Sequence, residues 1–342
     1  MHTALELSLT GSGSFADSAQ ILAKVRATYE LFTEIFGGNT VSCIDPGDDP
    51  VLRRWLDDRF AVERGAAPFP AFDDDVTSLS RPIGGTAGPT AFGIEVPTVM
   101  PEGDPWHRAH RRLFAEVLNP ASRDIHLVPA TEPELTHIHD ALALLETVSP
   151  DLSAGVLGHL KVVVLVGGEH AFESASDRRL PRAGYINRAA CADPLRLAEA
   201  LIHEATHQKL YDLQLLYTLY APGYRPEFSP TVRPAWHPAD TVWSIDRTLA
   251  AAHVYVHLTR MFDEMSRGLP VDLDPAQLRR TAGRARRRAD MLLAALDGHS
   301  SQFNASGLAF LTWLREAHGF PLTAPHHSSE ADDSQLEIRR SR

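Results

Sequence analysis

His203, Glu204 and His207, in the run Leu201-Ile202-His203-Glu204-Ala205-Thr206-His207-Gln208, are residues whose types and spacing match metal chemistry. On a helix, two residues four apart differ by about 40° around the axis and about 6 Å along it. Both imidazoles then leave one face, close enough to grip a single metal ion, with the Glu204 carboxylate beside them. The pair is an incomplete site, because a protein-held metal of this kind takes at least one further donor from elsewhere in the chain. The competing reading is a pair of hydrogen-bonded core histidines that hold nothing. It is the weaker one, since unpaired buried polar groups cost several kcal/mol and a buried helix has reason to avoid three of them.

The segment before the motif reads as the start of a helix. Asp193 is the candidate N-cap, Pro194 suits the first helical position, where its missing N–H costs nothing, and Glu199 follows near the positive end. Leu195, Leu197, Ala198, Leu201, Ile202 and Ala205 make the first turns apolar, which predicts burial. Leu210, Leu213, Leu215 and Leu216 extend the pattern, and Pro222-Gly223 is the expected stop.

Two residues compete for the third donor. Glu227 lies twenty residues past His207, a spacing similar to that of the gluzincin peptidases, whose third ligand is a glutamate on a second helix. Here Pro226 and Pro230 flank it and disfavour a helix, so a loop carboxylate is expected. His253 is the stronger candidate, within an apolar helix that runs Asp246-Arg247-Thr248-Leu249-Ala250-Ala251-Ala252-His253-Val254-Tyr255-Val256-His257. A histidine among alanines and valines needs a partner, and a metal would serve. His257 shares its face and is either a fallback ligand or a group that supports one. Arg247, about two turns earlier, is placed either to meet a carboxylate near the metal or to form a local ion pair with a neighbour such as Asp246. The pairs His107/His110 and His137/His139 lack a matching third partner. No position reads His-x-Asp or His-x-Glu, which excludes the usual cupin-type iron triad.

The elements that must position these residues belong to an ordinary globular chain. It has 342 residues, 44% of them hydrophobic and 23% charged, enough for one large domain or two small ones. A net charge of −11, from 33 basic and 44 acidic residues, argues against a general nucleic-acid binder. One basic run, Arg279, Arg280, Arg284, Arg286, Arg287 and Arg288, reads first as a solvated helix face and second as a dock for an acidic peptide. Cys43 and Cys191 form neither a disulfide framework nor a CxxC pair, which fits a reducing cytoplasm. The start lacks the pattern of a signal peptide, and no stretch reaches the ~20 apolar residues of a membrane span. The expectation is a soluble cytoplasmic protein that engages neither membrane nor nucleic acid, with its oligomeric state left open.

The expected fold class is α+β and predominantly helical, with a small sheet beside the buried motif helix and several C-terminal helices. Residues 1–324 are read as a single large domain, with an N-terminal helical part at about 1–150 and a metal-binding core at about 160–320. Residues 325–342 are read as a disordered tail. Helices are expected over Ala16–Ile35, Asp49–Glu63, Asp104–Leu118 and from the Thr131–Glu134 capping box to about Thr147. Residues 65–105 look like a long loop or lid. Leu160–Val166 and Gly184–Asn187 read as strands, with a polar hairpin or loop at Asp177–Arg182 between them. A proline-rich passage spans 222–238, and three helices follow at about 241–267, 274–297 and 303–317.

The sequence from Gly184-Tyr185-Ile186-Asn187 through Leu197 to Leu210 resembles the HExxH-motif proteins of ribosomal-peptide biosynthesis, the α-ketoglutarate-dependent HExxH-type peptide β-hydroxylases. The resemblance covers about Lys161 to Phe320, and the HExxH helix is its specific part. It extends to the Arg247–His253 segment, because the family places an arginine-containing stretch before a later helix that carries a histidine. The family's Pro-Trp-Arg and Arg-Pro elements are only partly matched by Phe228–Pro234 and Trp236, and Val254 stands where the family has glycine. The resemblance implies an Fe(II)/2-oxoglutarate-dependent oxygenase that hydroxylates the β-carbon of a residue in a ribosomally made precursor peptide. It implies His203, His207 and His253 as metal ligands, Glu204 as a proton-handling group, and Arg247 or, second, Arg233 as the 2-oxoglutarate-binding arginine. Three neutral imidazoles would leave positions open for a keto acid and dioxygen, and imidazole suits iron as well as zinc. With zinc the same geometry describes a metallopeptidase with Glu204 as general base. A non-catalytic peptide-binding protein is the remaining alternative.

Overall fold

Helix starts in this chain coincide with capping residues. In the computed structural model, which describes residues 18–36, 47–66, 92–119, 124–169, 171–268 and 273–319, Asp49 accepts from the backbone of Val51 and Leu52 and opens α2 (Pro50–Glu63). Asp104 caps α3 (Pro105–Val117) in the same way. Thr131 and Glu134 form a reciprocal capping box at the head of α4 (Glu132–Val148). Ahead of these lies α1 (Ser18–Phe36), and α5 (Pro150–Val156) follows α4.

Four strands make a small mixed sheet: β1 (His126–Val128), β2 (Val162–Gly167), β3 (Ser174–Ala175) and β4 (Ala183–Asn187), in the order β1-β2-β4-β3. β2 and β4 run parallel, with Val164 opposite Tyr185 and Leu165 opposite Ile186. β1 and β3 flank them antiparallel. Every residue of β2 is buried, as the unbroken β-branched run predicts for a strand covered on both faces. Val162, Val164, Val166, Ala183 and Tyr185 pack on one side with Leu113, Phe114 and Val117 of α3. Val163, Leu165 and Ile186 pack on the other with α4 and the motif helix.

That motif helix is α6 (Pro194–Leu216), capped by Asp193 through the Leu195 and Arg196 amides. A two-stranded ribbon, β5 (Thr231–Val232) and β6 (Trp243–Ser244), then leads into α7 (Ile245–Arg267). α8 (Pro275–Asp297) and α9 (Ala305–His318) complete the described elements. Two apolar clusters share α6, α7 and α8: one gathers Leu201, Ile202, Ala205, Val254, Leu258 and Ala285, the other Leu210, Leu213, Leu249, Val256 and Leu292. The fold is α+β and predominantly helical, and no helix among the described residues is long and apolar enough to cross a membrane.

Two features differ from the sequence reading. α6 stops at Leu216 rather than running to Pro222, because residues 219–221 exchange backbone hydrogen bonds with the loop ahead of α9: Asn304 N donates to Leu219 O and Ala221 N to Gln302 O. The short elements β1 and α5 carry too few residues to show a period, and they are absent from the sequence reading. As expected, Asp177–Arg182 is a loop: it joins the two-residue β3 to its antiparallel partner β4. The expected tail, and most of the expected 65–105 loop, lie outside the described residues.

Candidate functional site

The middle turns of α6 place His203 and His207 on one face, with ring centroids 5.0 Å apart. Both are half-buried. Tyr211, one further turn on, stacks on His207 at 6.2 Å, so a ridge of three rings lines this face. Glu204 points inward and is 1% exposed. It packs against β4 at Gly184, where an added Cβ would sit 3.3 Å from the Cβ of Glu204. Glycine at that position lets the helix approach the sheet this closely.

Among the described residues, both carboxylate oxygens of Glu204 and Nδ1 of His207 have no hydrogen-bond partner. Burial, and then repulsion from His203, hold His207 well below the usual histidine range. It is a neutral imidazole, the form that ligates metals. Orphaned buried acceptors of this kind need a partner that the side chains do not supply.

His253 does not join this pair. Around a helix each residue advances about 100°, and the α7 residue that reaches the motif is Tyr255, its ring 6.5 Å from that of His203. His253 and His257, each two residues from Tyr255, are turned by about 200° from it. The two rings lie 4.4 Å apart, and His253 is fully buried against Phe310 and Trp313 of α9. Burial holds His253 well below the usual range and His257 at about 3. Among the described residues no three His, Cys, Asp or Glu side chains come together closely enough to hold a metal ion. The donor chemistry of His203 and His207 fits a metal; a closed three-donor shell is not formed among the described residues.

The other expected residues lie further out. Arg247 is exposed and stacks on Trp243 at 5.0 Å, while Asp246 accepts from the Tyr224 hydroxyl instead of pairing with it. Arg233 is exposed beyond β5. Glu227 sits exposed in a 3₁₀ turn, Pro226–Phe228, as a loop carboxylate. Of the other histidine pairs, His137 and His139 are exposed on α4, whereas His107 and His110 are buried, with His110 Nε2 2.5 Å from the Tyr185 hydroxyl.

Sequence reasoning missed the wall that faces His203. Tyr255 stands there with Arg288, whose guanidinium lies 4.9 Å from the Trp236 ring and 5.2 Å from the Tyr255 ring, beside the edge-to-face pair that these two rings form. Glu199, one turn before His203, is 3.5 Å from Arg284. Burial raises the Glu199 carboxyl, with Arg284 and His203 opposing. The i, i+4 ladder Glu199, His203, His207, Tyr211 is visible in the sequence; the approach of α7 and α8 is not. No protein-family model and no curated protein matches the chain.

Proposed function

We propose that the chain is an Fe(II)/2-oxoglutarate-dependent oxygenase that hydroxylates the β-carbon of a residue in a ribosomally made peptide, with His203 and His207 as metal ligands. The observation that carries the metal reading is the His203–His207 pair at 5.0 Å beside a buried Glu204 whose oxygens have no partner among the described residues. The choice of hydroxylation rests on the family resemblance of the α6 segment. The metal, when bound, supplies the oxidising chemistry. The chain's own part is to orient the pair on α6, to exclude water on the Glu204 side, and to hold or pass a proton at the Glu204 carboxylate. Any third donor, whether His253, His257 or a group outside the described residues, reaches the pair only after rearrangement or from elsewhere.

The test is anaerobic loading with Fe(II) and 2-oxoglutarate, followed by oxygen and a precursor peptide. The expected result is a visible charge-transfer band before oxygen, then succinate and a peptide heavier by one oxygen atom. Absence of all three sinks the reading. Zinc peptidase activity is the second reading, favoured by the unpartnered Glu204 carboxylate next to the imidazoles, which is where a general base would stand. It predicts peptide cleavage that needs Glu204 and ignores 2-oxoglutarate.

A further inference from the structure

The α8 arginines are not equivalent. Arg280, Arg284 and Arg286 each face a carboxylate, from Asp274, Glu199 and Asp263 respectively. Arg288 is the half-buried member of the run and makes no direct ion pair among the described residues, the Glu199 carboxylate acting on it only at longer range. It donates instead to the Tyr255 hydroxyl at 2.8 Å and packs in the corner made by the Tyr255 and Trp236 rings, which meet edge to face. The two rings and the phenol hold the guanidinium in place and leave part of its five-donor fork uncommitted. The same Tyr255 ring lies 6.5 Å from His203. A planar, charged fork is therefore held one aromatic ring away from the imidazole pair. Glu199 also lies in this neighbourhood, but its near partner is Arg284. Arg247, by contrast, is exposed in the first turn of α7 and stacks on a different ring, Trp243.

We infer that Arg288 is the carboxylate anchor of the site, positioned by Tyr255 and Trp236 to bind a carboxylate of the molecule that meets His203 and His207. Under the proposed function, on which the identity of the ligand rests, that molecule is 2-oxoglutarate, and Arg288 replaces Arg247 and Arg233 in this role. Bidentate pairing between guanidinium and carboxylate, strengthened by partial burial, is what such a fork offers and a lysine does not.

Calorimetric titration of the whole chain with 2-oxoglutarate, with glutarate, and separately with an N-acetylated tetraglutamate peptide tests the inference. Arg288→Met, Arg288→Lys and Tyr255→Phe serve as variants, with circular dichroism as a check that each folds. Arg288→Met is expected to weaken dicarboxylate binding at least tenfold. Arg288→Lys should recover only part of that loss, and Tyr255→Phe should cause a smaller one. Arg247→Ala and Arg233→Ala should bind as the parent does. If the tetraglutamate peptide alone binds, still in an Arg288-dependent way, the anchor stands and the 2-oxoglutarate reading falls. If no carboxylate binds in an Arg288-dependent way, the anchor is overturned, whatever the metal assays show.

Discussion

Helix α6 carries two sets of polar side chains on successive arcs of the helical path, residues 203–207 and residues 208–212, and they are treated in opposite ways. On one arc Gln208, Lys209 and Asp212 are at most 1% exposed, and each is satisfied. The Gln208 amide donates to Leu180 O and Ala183 O and accepts from the Arg182 amide. Lys209 donates to Gly155 O at 2.7 Å, and Asp212 accepts from Arg53 and from His159 Nδ1, the latter at 2.6 Å. On the other arc Glu204 is just as deeply buried, yet among the described residues neither of its oxygens has a partner, nor does Nδ1 of His207. Between these two sets residue type does not make the difference and hydrogen-bond satisfaction does, although off α6 both ring nitrogens of His253 also lack a partner among the described residues.

The largest effect expected from this contrast lies on the satisfied arc. Asp212 is held below the usual carboxylate range, burial opposing and Arg53 and His159 prevailing, while the same pairing raises Arg53. Asp212→Asn or Arg53→Met should remove about 3–5 kcal/mol of stability, because each leaves an uncompensated buried partner. The midpoint and slope of urea unfolding measure this. A loss under about 1 kcal/mol would mean that the network is solvated, and the two arcs would not differ as described.

Next in size is the response to metal. If His203 and His207 form the ligand pair, Fe(II), or Co(II) as a redox-stable substitute, at about a hundred times its Kd should add about 2.7 kcal/mol. His203→Ala and His207→Ala should abolish that gain. His253→Ala is the informative variant: with the His253 ring among His257, Phe310 and Trp313, the metal-dependent part of the thermal shift should persist. Its loss would show that α7 turns on loading and brings His253 round to complete a three-histidine site.

That variant also marks the limit of what the sequence makes legible. The α6 signal was local: a cap at Asp193, a proline at Pro194 and a four-residue spacing, all of which depend on neighbours in the chain. The strands read equally well where burial on both faces leaves an unbroken apolar run, as in Val162–Gly167. The rotational setting of α7 against α6 is a long-range packing outcome. Val254 and Leu258 fit the apolar cluster around Leu201 and Ile202, which places Tyr255 rather than His253 next to His203. His253 and Tyr255 lie on the same apolar helix two residues apart, and nothing within that segment distinguishes which of them faces α6. Arg288 was hidden for a related reason, since its aromatic corner joins residues from three separated segments.

A pH series probes the satisfied arc more gently. His159 is held at about 4, chiefly by burial, with Asp212 pulling the other way. Its folded-state pKa is thus below the ordinary 6.5, so the stability it contributes is fully present above pH 6.5 and is lost as pH falls toward 4. Within that window each unit of pH should cost up to about 1.4 kcal/mol through this residue. His110 and His257, both held near 3 by burial, add losses of the same sign. Stability from urea unfolding at pH 7.5, 6.0 and 5.0 should fall steeply, and His159→Gln should lower the slope by about one proton's worth. An unchanged slope in that variant would mean that His159 binds its proton equally well in the folded and unfolded chain, and a steeper fall would mean that it is already charged at neutral pH in its bond to Asp212.

The smallest stability change is expected on the unsatisfied arc. Glu204→Gln keeps the shape of the side chain that packs on Gly184 and removes only the charge. A buried carboxylate that has no partner within the described fold contributes nothing to holding the fold together, and an amide is cheaper to bury. The variant should unfold within about 1 kcal/mol of the parent, or be slightly more stable, a range typical of sites that give up stability for chemistry. Turnover should meanwhile fall by about 10² or more if Glu204 handles a proton. A stability loss as large as that of Asp212→Asn would place Glu204 with the structural groups, and the distinction between the two arcs of α6 would then fail at the residue on which it most depends.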